Sequence, residues 1–203
     1  MPPAALFATP SFRCLEMNDG DVDRVQRFFE ANPEYHLAVT GAPPGPGAAR
    51  EEFDSIPPPD WRCGKRWLLQ FVDGRGDLAA IADVVADLLV EGVWHVGLFV
   101  VATPLHGHGA AHDLYGALEA WMREGGAQWT RLGVVVGNAR AERFWQRIGY
   151  TEVRQRGGIA MGERVNTVRV MVKPLTGAGL PEYLALVSRD RPESVEVSHH
   201  DPS

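Results

Sequence analysis

The sequence predicts a mixed α/β (α+β) domain, with about six to seven strands in a central sheet and about four helices flanking it. Two apolar runs, Trp67 to Val72 and Leu78 to Ala86, enclose the turn-rich segment Asp73 to Asp77, which is typical of an antiparallel hairpin. A third run, Val93 to Ala102, is rich in β-branched and aromatic residues, as buried central strands are. Two amphipathic helical patterns follow this run.

The segment before the hairpin predicts one strand and two helices. Phe12 to Met17 has the pattern of a short strand, and Asn18 or Asp19 then offers a helix cap. The helix that follows ends near Asn32, and its apolar face consists of Val22, Val25, Phe28 and Phe29. Two stretches rich in proline and glycine, Gly41 to Gly47 and Pro57 to Pro59, break the chain, and a short helix is predicted between them from Ala48 to Phe53.

The downstream half alternates helices and strands. One helix presents an apolar face and stops at Gly125-Gly126, and the strand Leu132 to Val136 follows. A second amphipathic helix ends at Gly149, and the strands Thr151 to Arg156 and Thr167 to Val172 complete the pattern. The apolar faces of the two helices are formed by Leu114, Leu118, Trp121 and Met122, and by Ala141, Phe144, Trp145 and Ile148.

Length and composition favour a single soluble domain. The chain has 203 residues, of which 45% are hydrophobic and 23% are charged, as is usual for soluble domains. We expect residues 1–174 to form this domain and residues 175–203 to form a C-terminal tail, either mobile or used as an interface arm.

Charge, cysteine content and hydropathy argue against several classes of protein. The formal net charge of -6 disfavours a nucleic-acid partner, since such affinity comes largely from Lys and Arg. Two cysteines without paired spacing support neither a disulfide framework nor a zinc site, and we expect no metal. Without a leader or a long apolar run, the sequence predicts a cytoplasmic protein with no membrane partner.

The glycine-bearing segment after the third run is the strongest candidate for a ligand site. A strand that runs into a glycine-rich turn and then a helix leaves backbone N–H groups converging on one point, where a pyrophosphate can bind. The alternative is an ordinary tight connection between a strand and a helix. The segment lacks the Lys-Ser/Thr of a Walker loop and the three-glycine spacing of a dinucleotide fold. It consists of His106, Gly107, His108, Gly109, Ala110 and Ala111.

Two linked motifs resemble the GNAT acyltransferase superfamily. The segment His106 to Ala111 is similar to the family motif Q/R-x-x-G-x-G/A, with His106 in place of the usual Gln or Arg. Downstream, Asn138 to Tyr150 is similar to the family pattern N-x-x-A-x-x-[FY]-[YW]-x-x-x-G-[FY]. The resemblance covers roughly residues 12–174 and implies a GNAT fold, whose central sheet is splayed in the middle.

The resemblance implies that the chain binds acetyl-CoA or CoA as the acyl donor. The pyrophosphate would lie on the segment His106 to Ala111, and the pantetheine arm would pair with the backbone of Leu98, Phe99 and Val100 in the gap of the sheet. Asn138 would hydrogen-bond CoA, and Arg140 or Arg143 would meet its phosphates. The alternative for both arginines is a solvated helix face.

The chemistry that the resemblance implies is direct attack of an amine on the thioester, which requires a deprotonated amine and a proton for the departing thiolate. Many relatives supply this proton from a tyrosine where this chain has Trp145, whose indole is no acid near neutral pH. His95 and Tyr150 are the catalytic candidates that remain. Their alternatives are a structural histidine and a core aromatic.

The acceptor is expected beside the first helix, with Glu34 and Tyr35 recognising an ammonium group by charge and by ring face, although both residues also suit an ordinary loop. The predicted function is an N-acetyltransferase acting on an amine of a small molecule, an amino acid or a protein N-terminus. A longer acyl donor, a CoA-binding sensor or interaction module without turnover, and a nucleotide-dependent phosphotransferase are the alternatives. Relatives are often dimers, so a homodimer stays open.

Overall fold

The computed structural model describes residues 4–192, and its strands and helices form one mixed sheet with helices packed against it. The strands are β1 (Phe7–Ala8), β2 (Phe12–Glu16), β3 (Arg66–Asp73), β4 (Leu78–Val85), β5 (Val93–Val101), β6 (Trp129–Val135), β7 (Thr151–Met161) and β8 (Arg164–Pro174). The helices are α1 (Val22–Ala31), α2 (Glu34–Val39), α3 (Ala48–Asp54), α4 (Ala110–Glu124), α5 (Ala139–Arg147) and α6 (Leu180–Leu186).

The sheet has the order β1-β2-β3-β4-β5-β6-β8-β7. Strands β5 and β6 run parallel, and the other neighbouring pairs among the described residues run antiparallel. The predicted mixed fold is therefore confirmed, with eight strands instead of six to seven. Two helices that the sequence did not predict, α2 and α6, have only 6 and 7 residues, too few for an apolar period to be recognised. Helix α3 is equally short, but proline- and glycine-rich stretches on both sides marked its position.

The sheet separates between its two parallel strands, as the resemblance implied. Residues Val93 to Val96 pair with Trp129 to Leu132, and the pairing stops there although both strands continue. Just beyond the last pair, β5 contains a bulge at Gly97, because Leu98 lies opposite Asp83 while Val96 lies opposite Val84. A Cβ at Gly97 would lie 2.9 Å from Asp83 Oδ2, so a larger residue does not fit at this bulge.

The helices cover the sheet through three apolar clusters. Helix α4 packs Leu114, Leu118 and Met122 into the largest cluster, which also contains Trp145 of α5. Helices α1 and α3 pack onto Leu98 and Val100 of β5. The cluster of α4 and α5 therefore spans both strands of the splay, whereas α1 and α3 pack onto β5.

Part of the segment after β8 packs onto the sheet. Helix α6 packs against β6 and β8, and both Tyr183 and Asp190 are completely buried. Asp190 is hydrogen-bonded to Arg131 of β6, and a C-terminal tail that is mobile or used as an interface arm stays a prediction. The last part of the predicted tail, residues 193–203, lies outside the described residues.

The two C-terminal strands are also longer than predicted. They extend over Thr151–Met161 and Arg164–Pro174, and they join through a tight turn. Their extensions beside the turn, residues 157–161 and 164–166, are mostly exposed, so they lack the apolar run that marks the inner halves. Among the helices of residues 4–192, none is both long and apolar enough to cross a membrane.

Candidate active site

The loop between β5 and α4 has the backbone geometry of an anion cradle. Gly107 and Gly109 have φ angles of 81° and 82°, a left-handed conformation that residues with a Cβ rarely adopt. A Cβ at either position would meet no atom within 4 Å, so the loop faces open space. The backbone N–H groups from Gly107 to Ala111 have no hydrogen-bond acceptor among residues 4–192. Unpaired amides at the start of a helix are the arrangement that binds phosphates in other proteins, so the predicted cradle keeps its candidate position here.

The side chain of His106 points away from the loop, towards the end of β5. Its Nε2 atom lies 2.8 Å from the carbonyl oxygen of Val101, so the imidazole turns back onto the end of β5. His108, by contrast, is exposed. The side chain of His106 thereby holds the loop against β5, and the backbone is left for a ligand.

A cavity of about 180 Å³ lies beside this loop, between the starts of α4 and α5. Its wall includes Val100, His106, Ala111, Asn138 and Arg140. Asn138 caps α5, because its Oδ1 accepts a hydrogen bond of 3.2 Å from the amide of Ala141. The backbone N–H of Asn138 donates to Val135 O at 3.1 Å, and its carbonyl accepts from Glu142 N at 2.9 Å. The predicted hydrogen bond to CoA therefore falls to the side-chain amide group of Asn138.

A second cavity of about 330 Å³ opens where β5 and β6 separate. Its wall includes residues of β5 and of β6 on the two sides of the gap, and residues of β7 and β8. The two cavities share the wall residues Tyr35, Phe99, Asn138, Ala141 and Trp145. The first cavity, which His106 and Ala111 line at the glycine loop, therefore adjoins the cavity in the splay.

The sequence of this region matches one protein family. The model of the Acetyltransferase (GNAT) family matches residues 42–150, which is more than half of the chain. The chain belongs to the GNAT acetyltransferase family. This GNAT chain matches no curated protein sequence.

Solved structures with the same fold include three acetyltransferases. An acetyltransferase from Thermus thermophilus has a TM-score of 0.65 at 16% identity, covering 85% of this chain and 100% of that one. The spermidine N-acetyltransferase from Vibrio cholerae, in complex with CoA and spermine, has a TM-score of 0.61 at 13% identity, with coverages of 82% and 96%. The ribosomal-protein-S18-alanine N-acetyltransferase from Escherichia coli has a TM-score of 0.58 at 16% identity, with coverages of 83% and 96%.

The two predicted catalytic residues of this GNAT chain lie in different surroundings. His95 lines the cavity in the splay, and its Nδ1 atom lies 3.4 Å from the guanidinium of Arg131. Burial and the positive charge of Arg131 lower the pKa of His95 to about 3, so the imidazole is a weak proton acceptor.

Tyr150 lies in the core and lines neither cavity. Its hydroxyl is hydrogen-bonded to the hydroxyl of Tyr115, and burial raises its pKa. The alternative of a core aromatic describes this residue, because a buried, paired phenol has no access to the splay.

The predicted acceptor-binding residues lie at the beginning of α2. Both carboxylate oxygens of Glu34 accept from Thr103 Oγ1, at 3.0 and 2.9 Å, and Glu34 lines the first cavity. Tyr35 lines both cavities. Burial, with the nearby carboxylates of Glu52 and Asp83, raises the pKa of the Tyr35 phenol, which therefore remains protonated.

The two predicted phosphate-binding arginines differ in position. Arg140 is exposed and lines the first cavity, whereas Arg143 is exposed and lines neither cavity. Arg143 points from the solvated face of α5, which is the alternative that the sequence left open.

Three residues of the splay cavity were missed by the sequence analysis, namely Trp61, Arg131 and Arg156. Arg131 is a charged residue within a buried strand. A buried charge needs a partner, so its position in the sequence already indicated a structural or functional role. Arg156 belongs to a strand with alternating exposure, and Trp61 to an irregular segment, so no local pattern distinguished them.

Proposed function

We propose that this GNAT chain is an N-acetyltransferase that moves the acetyl group of acetyl-CoA to an amine of a small molecule, an amino acid or a protein N-terminus by direct attack. Acetyl-CoA would supply an activated acetyl thioester. One observation supports the proposal most strongly. The loop with unpaired backbone amides, residues 107–111, lies beside a cavity that adjoins the second cavity in the splay.

The residues present fit an acyl-CoA. The amides of the glycine loop, including those of His108, Gly109 and Ala110, would hold the pyrophosphate, and Arg140 is placed at the same cavity. Leu98, Phe99 and Val100 lie on β5 beyond its pairing with β6 and still pair with β4 on the other edge. The backbone groups of this stretch that point away from β4 are available to an extended arm, as those of a strand edge are. This use of backbone does not depend on the identity of the side chains.

Proton movement must be arranged without the tyrosine that many relatives have. Trp145 is largely buried and lines both cavities, and its indole donates a hydrogen bond but no proton near neutral pH. The Tyr35 phenol lies in the wall shared by both cavities and remains protonated, so its hydroxyl can donate a hydrogen bond into the splay. We assign it this positioning role at the reacting centre.

Solved acetyltransferases with this fold act on different kinds of amine, and the proposed acceptor classes reflect this variety. One solved relative carries spermidine in its name, and another carries the alanine of a ribosomal protein. Low identity to both leaves the choice of acceptor to the residues of the splay cavity. A homodimer stays a prediction, and sedimentation equilibrium would test it by measuring the mass of the protein in solution.

The test is release of the CoA thiol from acetyl-CoA against a panel of amines, with the product identified by mass. The panel contains amino acids, spermidine and peptides with free N-termini. We expect at least one acceptor to react about 100-fold faster than in the absence of protein. Tight binding of CoA with no turnover across the panel would instead support a CoA-binding module, which Trp145 at the usual tyrosine position favours.

A further inference from the structure

The splay cavity carries an excess of positive charge. Among the described residues that line it, two are arginines, Arg131 and Arg156, and none is Asp or Glu. His95 also lines it, and its low pKa leaves it neutral at physiological pH. A cavity that had only to bind a cationic amine would be expected to carry the opposite charge.

The two arginines share a single buried carboxylate. Arg131 donates to Asp190 from Nε at 2.7 Å and from Nη2 at 3.1 Å, and Arg156 donates from Nη2 to Oδ1 of the same residue at 3.2 Å. Asp190 also accepts a hydrogen bond of 2.5 Å from Tyr183. One carboxylate therefore compensates two guanidinium groups, and its own hydrogen bonds are largely used.

Arg156 retains an unused donor. Its Nε atom is buried and has no acceptor among the described residues. A buried N–H without an acceptor is costly, so a ligand oxygen that reached this donor from the cavity that Arg156 lines would be stabilised. Burial, with the fields of Arg131 and Arg189, lowers the pKa of Arg156 to about 10, which reports the same uncompensated positive charge.

Acidic groups lie near another part of the cavity wall. The carboxylate of Asp83 lies against the backbone of Gly97, at the bulge in β5. Glu52 and Asp83 act together on the pKa of Tyr35, which belongs to the same wall. Arg66 pairs with both carboxylates, at 2.9 Å from Asp83 and 3.6 Å from Glu52, so this part of the wall is close to electrically balanced. The uncompensated charge of the cavity is therefore the positive charge at Arg131 and Arg156.

We infer that the acceptor is an amine that also carries a carboxylate, and that Arg156 and Arg131 bind this carboxylate. The inference rests on the proposed N-acetyltransferase function and selects among its acceptor classes. Guanidinium groups bind carboxylates through paired N–H donors, and such bonds are stronger than neutral ones. A purely structural role of the arginines accounts for their hydrogen bonds to Asp190. It does not explain why the Nε atom of Arg156 has no acceptor, or why the described lining residues include no carboxylate.

The first experiment compares matched acceptors in the wild-type protein. Each amino acid is tested beside its α-carboxamide, which keeps the amine and removes the negative charge, and spermidine is included. We expect kcat/KM to be at least about tenfold higher for the acid of the preferred pair. Equal or faster acetylation of the carboxamide, or a preference for spermidine, would overturn the inference and leave the proposed function intact.

The second experiment assigns the effect to Arg156. Arg156→Gln should lower kcat/KM for the acid at least about tenfold and bring the ratio of acid to carboxamide towards one, while Arg156→Lys should keep part of the preference. Arg147→Gln is the matched control, because Arg147 is exposed on α5 and lines neither cavity. An unchanged ratio in a folded Arg156→Gln protein would refute the assignment.

A binding measurement separates the two proposals if no amine is acetylated. N-acetyl amino acids and their carboxamides are titrated calorimetrically into the protein saturated with CoA. Binding of an N-acetyl acid at least about tenfold tighter than its carboxamide would support the carboxylate site even though the transferase proposal had failed. Equal affinities, or no binding of either, would refute the site.

Discussion

Arg131 in β6 holds Asp190, which lies after α6, through two hydrogen bonds to its two carboxylate oxygens. Asp190 is completely inaccessible to solvent, and the Arg131 side chain is 5% exposed. The nearby charges of Arg131 and Arg156 and the hydrogen bond from Tyr183 overcome the effect of burial and keep the pKa of Asp190 below its ordinary value. The C-terminal segment therefore supports Arg131 in the wall of the splay cavity.

Substitution Asp190→Asn should destabilise the protein. It leaves Arg131 buried without a charged partner, and breaking such a pair costs about 3–5 kcal/mol. Urea unfolding measures the change in the free energy of unfolding. Asp113→Asn, on the exposed face of α4, is the control and should stay within about 0.5 kcal/mol of the wild type. A comparably small change in Asp190→Asn would contradict the structural role given to the pair.

Glu52 should make stability depend on pH near neutrality. Burial and the neighbouring carboxylate of Asp83 raise its pKa from 4.5 to about 7 in the folded state. The folded state therefore prefers the protonated form, and its stabilisation is full below pH 4.5 and is lost as the pH rises through 7. Glu52→Gln should abolish about 1–3 kcal/mol of this decline.

The measurement is urea unfolding at pH 5 and at pH 8 for the wild type and for Glu52→Gln. Glu51→Gln changes the exposed neighbour on the same helix and should retain the wild-type difference between the two pH values. The interpretation fails if Glu52→Gln retains this difference too.

Gly109→Ala should weaken the binding of CoA. A Cβ in the left-handed conformation costs about 1–2 kcal/mol, and here it would also project from the phosphate cradle. We expect the Kd for CoA to rise at least about tenfold by calorimetry. Gly116→Ala, within α4 and with open space around it, should leave the Kd unchanged and add up to about 1 kcal/mol to stability. Equal affinity in both variants would exclude the loop as the cradle.

His95→Gln should leave the shape of the pH profile of kcat/KM unchanged between pH 5 and pH 9. Burial and Arg131 lower the pKa of His95 to about 3, so its imidazole does not titrate in this range. The profile is recorded with the amine acceptor found in the panel. Loss of an ionisation between pH 6 and pH 7 in the variant would restore His95 as the group that relays a proton.

Tyr150→Phe should affect stability and not turnover. It removes the hydroxyl that pairs with Tyr115 inside the core, and leaving a buried polar group unpaired costs about 1–3 kcal/mol. The double variant with Tyr115→Phe should cost less than the sum of the two single variants, because the two hydroxyls are partners. A fall in kcat greater than about tenfold in the folded Tyr150→Phe protein would return this phenol to the catalytic candidates.

The sequence by itself determined the order of the main strands and helices and the location of the glycine loop. Apolar periodicity follows directly from which face of an element is buried, so α4, α5 and the hairpin β3-β4 were predicted close to their observed bounds. Gly107 and Gly109 were recognisable because the left-handed backbone there requires glycine. Short helices such as α2 and α6 gave no comparable signal.

Only the tertiary structure decided which side chains meet at the splay. Arg131, Arg156 and Asp190 are brought together from β6, β7 and the segment after α6, and this pairing between distant parts of the chain has no local pattern. Burial and neighbouring charges likewise set the pKa of His95 and placed Tyr150 in the core. The glycine loop depends on local conformation and was predicted from the sequence, whereas the arginines of the splay cavity come together through long-range contacts and were not.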